Sequence, residues 1–176
     1  RGGASNVKQT WTVDQFQVEP EEGQTRFHDL GLRDELMHAV ADLGFKYCSP
    51  IQASILPHTL QGHDAIGKAQ TGTGKTAAFL IAAYQRVLNA EGERPEQRQP
   101  LVFALAPTRE LAIQIAKDAE VLGAHTGLKI GLAYGGTDYE KQRKRLSDGV
   151  DLLIGTPGRI IDFFKQGVFK LDRVEV

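Results

Sequence analysis

Residues 69–76, with the sequence AQTGTGKT, place small residues, one lysine and a hydroxyl directly before an apolar helical pattern. Unpaired backbone N–H groups at a helix start bind anions, a lysine at this position reaches the terminal phosphates, and the next hydroxyl ligates Mg²⁺. The usual form of this loop has glycine where this chain has Ala69. The pattern predicts a phosphate-binding loop with Lys75 on the phosphates and Thr76 on Mg²⁺. Its candidate residues are Ala69, Gln70, Thr71, Gly72, Thr73, Gly74, Lys75 and Thr76.

The segment GFKYCSPIQ at residues 44–52 has two interpretations. Ser49, Pro50 and Gln52 fit the N-cap, the first helical residue and the reciprocal glutamine of a capping box. The amide of Gln52 can also donate to and accept from the edge of an adenine ring. Spacing alone favours the capping box.

Three further loops each begin a predicted helix. The loop PTREL offers Thr108 as a cap and Arg109 in the first turn, and the loop TPGR repeats this arrangement. The loop between them has two glycines, followed by the capping-box spacing of Thr137 and Glu140. Together these loops would bring helix N-termini and two arginines to one rim of a sheet, a surface suited to a chain of phosphates. The candidate residues are Pro107, Thr108, Arg109, Glu110, Gly135, Gly136, Thr156, Pro157, Gly158 and Arg159.

Strand-like apolar runs alternate with helical patterns along most of the chain. This alternation predicts an α/β fold with a parallel sheet covered by helices on both faces, and ligands of such folds bind at the carboxyl ends of the strands. The expected strands lie at 64–69, 101–106, 128–134, 151–156 and 174–176. The expected helices lie at 32–43, from 50 onward, at 75–88, around 111–122, from 137 onward and at 157–165.

The composition is typical of a single globular domain and excludes a broad basic surface. The chain has 176 residues and a formal net charge of −1, so nucleic-acid contacts must come from a few placed residues and backbone N–H groups. No apolar run approaches the ~20 residues that span a bilayer. Cys48 is the single cysteine, which indicates a reducing compartment and hence the cytoplasm. Residues 1–24 are polar without sustained periodicity, and we expect a flexible lead-in there.

In this order the motifs GFKYCSPIQ, AQTGTGKT, PTREL, GG and TPGR resemble the first RecA-like domain of DEAD-box ATP-dependent RNA helicases. Within that family the bacterial RhlB-type group is the most similar. The resemblance extends from about Phe27 to the last residue, and alanine at position 69 is a normal variant there. It implies a RecA-like α/β fold in which a P-loop parallel sheet carries helices on both faces.

The resemblance implies a role for each matching segment. Phe27 matches an upstream aromatic residue that packs on adenine. Gln52 matches the glutamine that reads the adenine edge, so the same side chain serves reading and capping. Residues 69–76 match the triphosphate loop of ATP, with Mg²⁺ at Thr76. The three later loops match segments that grip the RNA sugar–phosphate backbone without reading its sequence.

The resemblance also implies a reaction cycle, cofactors and partners. In such enzymes ATP closes two domains over an RNA strand and bends it, which melts a short duplex locally, and hydrolysis then releases the RNA. The implied cofactors are ATP and Mg²⁺. The implied partners are RNA, as a single strand or short duplex, and an RNA-decay nuclease complex, with a place in RNA turnover. No membrane partner is expected.

We interpret the chain as a fragment in which 25–176 form the N-terminal part of an incomplete RecA-like domain 1. In the family, the Asp-Glu-Ala-Asp motif follows the strand that begins at 174–176, and a second domain supplies an arginine finger. Loss of an arginine finger alone costs about 10³–10⁵ in rate, so we expect the chain by itself to be inactive in hydrolysis. The missing strand would also leave the strand at 64–69 with an unpaired edge.

Three other interpretations stay open. Another P-loop enzyme, such as a small-molecule kinase, would have no reason to carry GFxxxxPIQ or TPGR. A non-catalytic module that binds nucleotide or RNA would require a degraded Asp-Glu-Ala-Asp motif. A DNA helicase of the same superfamily is compatible with Gln52. Comparing RNA with DNA of the same sequence as stimulators of ATP hydrolysis distinguishes a DNA helicase from an RNA helicase. The RNA helicases of the family contact the 2′-OH, which DNA lacks.

Overall fold

A parallel three-stranded sheet organises the computed structural model, which describes residues 10–90 and 98–176. The strands are β1 (Val102–Leu105), β2 (Ile130–Ala133) and β3 (Leu152–Gly155), in the spatial order β1-β3-β2. Leu152 of β3 pairs with Val102 on one side and with Ile130 on the other. Every residue of β3 is buried, as expected for a central strand of continuous apolar sequence.

Helices follow the strands as the sequence pattern predicts. The α-helices of the described ranges are α1 (Asp34–Asp42), α2 (Pro50–Thr59), α3 (Lys75–Asn89), α4 (Arg109–Leu122), α5 (Tyr139–Ser147) and α6 (Pro157–Lys165). Two 3₁₀ turns, Val13–Gln15 and Phe27–Leu30, precede α1. Among these helices none combines the length and the hydrophobicity that crossing a membrane requires.

The sheet is covered on both faces. Leu152 and Ile154 join a large core with buried residues of α1, α2, α3 and α4, whereas Leu153 joins a smaller core with Ile160 and Phe163 of α6. Alternate residues of a strand point to opposite faces, so β3 supplies residues to both cores. The predicted α/β architecture with helices on both faces is therefore confirmed.

Two predicted strands are wrong. Residues 64–69 contain no strand, and Ile66 is 92% exposed. Strands require a partner backbone, and within the described ranges no backbone–backbone hydrogen bond joins 64–69 to another segment. The run 174–176 lies beside β1, where the Phe103 N–H donates to the Val176 carbonyl at 2.9 Å, but it is too short for a regular strand.

The N-terminal segment is better packed than its composition suggests. Val18 is buried, and the Trp11 ring stacks on His38 with centroids 4.5 Å apart. The Arg26 guanidinium donates to the Val18 carbonyl at 2.8 Å, and the Tyr47 hydroxyl donates to a carbonyl of the same segment. The expected lead-in over 1–24 therefore needs correction from residue 10 onward, while 1–9 lie outside the described residues.

Candidate functional site

The phosphate-binding loop ends in a conformation that glycine alone adopts readily. Gly72 and Gly74 have φ angles of 82° and 88°, and α3 begins immediately afterwards at Lys75. A Cβ atom on Gly74 would lie 2.3 Å from Gln52 Nε2 and 3.2 Å from Ser49 Oγ. Both the backbone angle and the space thus exclude any other residue there.

The loop directs cationic and polar groups to the start of α3. Lys75 Nζ donates to the Ala69 carbonyl across the loop, and Thr73 Oγ1 donates to the Gln70 carbonyl at 2.7 Å. Thr76 is half-buried in the first turn of α3. Unpaired N–H groups, an ammonium and a hydroxyl at one helix start suit a phosphate group with a bound divalent cation. The residues present therefore fit a magnesium nucleotide.

Gln52 joins α2 to this loop. Its side chain is 5% exposed; Oε1 accepts from the Ser49 N–H at 2.9 Å, and Nε2 donates to the Gly74 carbonyl at 3.2 Å. Ser49 Oγ donates to the Thr73 carbonyl at 2.7 Å, so both capping residues hold the loop. The amide of glutamine has two N–H donors and an oxygen with two lone pairs. One donor and one lone pair of Gln52 have no hydrogen-bond partner among the described residues.

Phe27 does not present a surface to a ligand in this structure. Its side chain is 1% exposed and belongs to the large core, where its ring stacks on Phe45 with centroids 6.0 Å apart. Packing of Phe27 on adenine stays a prediction: in this structure the ring has no free face, because it is buried in the large core. Contact with a base would require the ring to move.

Cys48, which precedes the capping box, has a structural role. The residue is buried, and its N–H donates to the Thr25 carbonyl at 2.7 Å. Burial, followed by the nearby negative charge of Asp29, raises the pKa of the Cys48 thiol to about 11. The thiol is therefore protonated at neutral pH and is not a candidate nucleophile.

The loops at 107–110, 135–136 and 156–159, called the rim loops below, follow the carboxyl ends of β1, β2 and β3. Thr108 caps α4, since its Oγ1 accepts from the Leu111 N–H at 3.2 Å. The guanidinium of Arg109 lies 5.7 Å from the centre of the Tyr134 ring. A Cβ on Gly136 would lie 3.2 Å from Arg109 Nη1. The first two rim loops are therefore in contact, although β3 lies between the strands that they follow.

Gln142 connects the second and third rim loops, and the sequence analysis missed it. Its buried Oε1 accepts from the Tyr134 N–H at 3.1 Å and from Arg159 Nη1 at 2.9 Å. Its Nε2 donates to the Thr137 carbonyl at 3.4 Å. One signal was available: Gln142 and Leu146 have the i, i+4 spacing that places both on the buried face of α5.

Two of the three rim helices, α5 and α6, begin without the side-chain capping bonds that the sequence predicts. The N-cap of α5 is Asp138, with φ 50°, so the predicted capping box of Thr137 and Glu140 is wrong. The Thr137 carbonyl instead accepts from Arg159 Nη1 at 3.3 Å. Thr156 occupies the N-cap of α6 without a side-chain capping bond. The contact of Arg159 with the Thr137 carbonyl thus joins the start of α6 to the segment before α5.

The two rim arginines keep their charge uncompensated. Within the described residues neither Arg109 nor Arg159 forms an ion pair with a carboxylate. Arg159 instead lies 4.9 Å from the centre of the Tyr139 ring. Guanidinium groups fixed by aromatic rings and amides, rather than by acids, are suited to bind phosphate groups.

Comparison with known proteins agrees with this geometry. A model of the DEAD/DEAH box helicase family matches residues 49–176, more than two thirds of the chain. The "ATP-dependent RNA helicase RhlB" of Pseudomonas putida is 53% identical over 163 residues, which cover 90% of this chain and 40% of that protein. The RhlB protein of Pasteurella multocida is 54% identical over 153 residues, 87% of this chain and 36% of that protein.

The chain thus spans about two fifths of the length of the curated relatives it matches. The matched residues nevertheless include both the phosphate-binding loop and all three rim loops. On this basis the chain belongs to the DEAD/DEAH box helicase family.

Proposed function

We propose that this chain is the ATP-binding and RNA-backbone-binding part of an ATP-dependent RNA helicase that locally unwinds short RNA duplexes. The observation that carries the proposal is the Gln52 network, in which one buried amide touches the phosphate-binding loop and keeps a donor and an acceptor for a base. The relatives named above are ATP-dependent RNA helicases, which supports the same function.

ATP with Mg²⁺ is the proposed cofactor. Lys75 and the N–H groups at the start of α3 would bind the phosphates, Thr76 would ligate the metal, and Gln52 would read adenine. Bound nucleotide supplies the phosphate anhydride whose cleavage drives the cycle. For Lys75 this requires its ammonium to exchange the Ala69 carbonyl for phosphate oxygens. The residues named here supply a lysine and hydroxyl groups, and loss of an arginine finger alone costs about 10³–10⁵ in rate. We therefore propose that the 176 residues alone do not hydrolyse ATP at a measurable rate.

RNA is the proposed partner of the rim loops. Arg109 and Arg159, with the helix starts beside them, would contact the sugar–phosphate backbone as single strand or short duplex, without reading bases. We further propose cytoplasmic RNA turnover as the setting and an RNA-decay nuclease complex as a partner. Residues 25–176 then form part of the first RecA-like domain, preceded by the N-terminal segment.

Replacing Gln52 tests the adenine assignment. We expect the unaltered chain to bind ADP with Mg²⁺ more tightly than GDP, and Gln52→Glu to lose this preference with about a tenfold loss of ADP affinity, because glutamate keeps the acceptor and loses the donor. Isothermal titration calorimetry measures both ligands. Gln114→Ala, at an exposed position of α4, is the matched control and should leave both affinities unchanged. Equal binding of ADP and GDP by the unaltered chain would refute adenine reading.

Replacing Arg159 tests the backbone-binding role of the rim. We expect Arg159→Ala to weaken single-stranded RNA binding about tenfold, uniformly across RNA sequences, because a phosphate contact carries no base information. The dependence of log affinity on log salt should become shallower by about 0.7 for each lost phosphate contact. Fluorescence anisotropy at several salt concentrations measures both quantities. Arg173→Ala, an exposed charge change away from the rim, serves as control, and an equal effect of this variant would contradict the assignment.

A further inference from the structure

Three metal-ligating side chains meet where α1 crosses the end of α4. His38 and Asp42 lie one turn apart on α1, and His125 follows α4. The possible ligand atoms all lie within 4.8 Å of one another. His125 Nε2 lies 2.6 Å from Asp42 Oδ2, and His38 Nε2 lies 3.9 Å from Asp42 Oδ1. The same nitrogen of each imidazole therefore faces one carboxylate.

The cluster is held by the packing of two helices, not by its own contacts alone. Met37 and Val40 of α1 and Ala119 and Leu122 of α4 are all buried in the large core. Beyond α4 the chain turns tightly, with Thr126 Oγ1 donating to the Gly123 carbonyl at 2.8 Å. The backbone positions of the three side chains are thus fixed relative to one another.

The side chains keep the freedom that metal binding needs. The rings of His38 and His125 are stacked with centroids 3.5 Å apart and an interplanar angle of 4°. An ion shared by both nitrogens requires one ring to tilt, because lone pairs lie in the ring planes. The side chain of His125 is 31% exposed and that of Asp42 is 54% exposed, so these two can tilt without opening the core, whereas His38 is also stacked on Trp11.

We propose that His38, Asp42 and His125 bind a transition-metal cation of the Zn²⁺ class. Two imidazole nitrogens and one carboxylate oxygen form a donor set that suits Zn²⁺, Ni²⁺ or Cu²⁺, with water completing the coordination, whereas Mg²⁺ prefers oxygen ligands. The cation takes the place of the hydrogen bond between His125 Nε2 and Asp42 Oδ2. This site is independent of the proposed magnesium nucleotide.

The expected role of the site is structural. The fourteen residues of α4 give the helix a length of about 21 Å, which separates the Arg109 end from the His125 end. A cation at the cluster cannot contact groups at the rim over that distance. It would tie α1 to α4, and because Trp11 stacks on His38 it would also stabilise the packed N-terminal segment. Metal binding to the folded chain should raise its unfolding temperature.

Titration of the 176-residue chain, free of any histidine tag, tests the proposal. We expect Zn²⁺ to bind with one-to-one stoichiometry by calorimetry and to raise the unfolding temperature by several degrees. Trp11 is the single tryptophan, so Ni²⁺ at the cluster should quench the tryptophan fluorescence of the chain.

Asp42→Asn and His125→Asn should each weaken Zn²⁺ binding at least about tenfold, since even partners outside the coordination sphere contribute about 10–100-fold. His58→Asn, an exposed histidine on α2, should bind as the unaltered chain does.

Two results would overturn the site. The first is that the unaltered chain neither binds Zn²⁺ nor loses tryptophan fluorescence with Ni²⁺ at about 100 μM metal. A dissociation constant above about this concentration corresponds to a binding free energy too weak for a site with three ligands. The second is equal Zn²⁺ affinity in the cluster variants and in the His58→Asn control, which would place the ion elsewhere. Circular dichroism of each metal-free variant verifies folding, and His38→Gln replaces any variant that fails to fold.

Discussion

Replacing Lys75 with alanine is expected to weaken binding of ADP and ATP by the chain about 10- to 100-fold. The ammonium of Lys75 lies at the start of α3 and donates to the Ala69 carbonyl across the loop, so it is already directed over the phosphate-binding loop. Hydrogen bonds to charged groups contribute about 1.5–3 kcal/mol, and each 1.4 kcal/mol corresponds to about a tenfold change in affinity. Calorimetric titration with Mg²⁺ present measures the loss.

A control separates the phosphate contact from a general loss of positive charge. Lys117 is exposed on α4, and Lys117→Ala removes the same charge without touching the loop. We expect this variant to bind ADP with unchanged affinity and to unfold at the same urea concentration as the unaltered chain. Equal affinity of Lys75→Ala and Lys117→Ala would contradict the role of the loop in holding phosphates, whatever the family match indicates.

The glycine turn of the loop at 69–76 and the start of its helix could be predicted from the sequence because their determinants are local. Gly74 and Lys75 are adjacent, and the positive φ of Gly74 leads directly into α3. The same holds for the α6 start at Pro157, whose fixed φ suits the first helical residue. Patterns of this kind need no knowledge of distant contacts, so they predict element type and boundaries well.

Gln52 shows how far local reasoning extends. The capping box was visible in the spacing, and the structure bears it out through the bond from the Ser49 N–H. The bond from Gln52 Nε2 to the Gly74 carbonyl joins residues that are 22 positions apart, so no spacing rule could indicate it. The sequence therefore predicted the helix start but not the support that this helix gives to the phosphate-binding loop.

The failed predictions depend on distant partners. The run at 64–69 has strand composition, but a strand forms only where another backbone completes its hydrogen bonds. The role of Phe27 at adenine, which the resemblance implies, stays a prediction, while its burial follows from its place in the large core and beside Phe45. Gln142 was not predicted as a site residue, because only its position across from Arg159 gives it a role.

Replacing Gly155 with valine is expected to destabilise the chain by about 3 kcal/mol or more. Gly155 ends the central strand β3, and a Cβ there would lie 2.5 Å from the Ala133 carbonyl oxygen and 2.6 Å from Ile160 Cγ1. The carbonyl cannot move away, because it accepts from the Thr156 N–H at 2.9 Å. Overpacking in a tight core costs typically about 1–3 kcal/mol, and here rigid backbone blocks the relaxation that keeps the cost low.

The same substitution links stability to the rim. Any shift that admits the valine must move the start of α6, including Arg159, away from β2, so RNA affinity should fall together with the free energy of unfolding measured in urea. Gly158→Ala is the stability control: its Cβ meets nothing within 4 Å, and alanine in a helix is favoured by about 0.5–1 kcal/mol. A Gly155→Val chain with unchanged stability would mean that β2 and α6 are not in contact at this strand end, and the geometry of the rim loops would then be wrong.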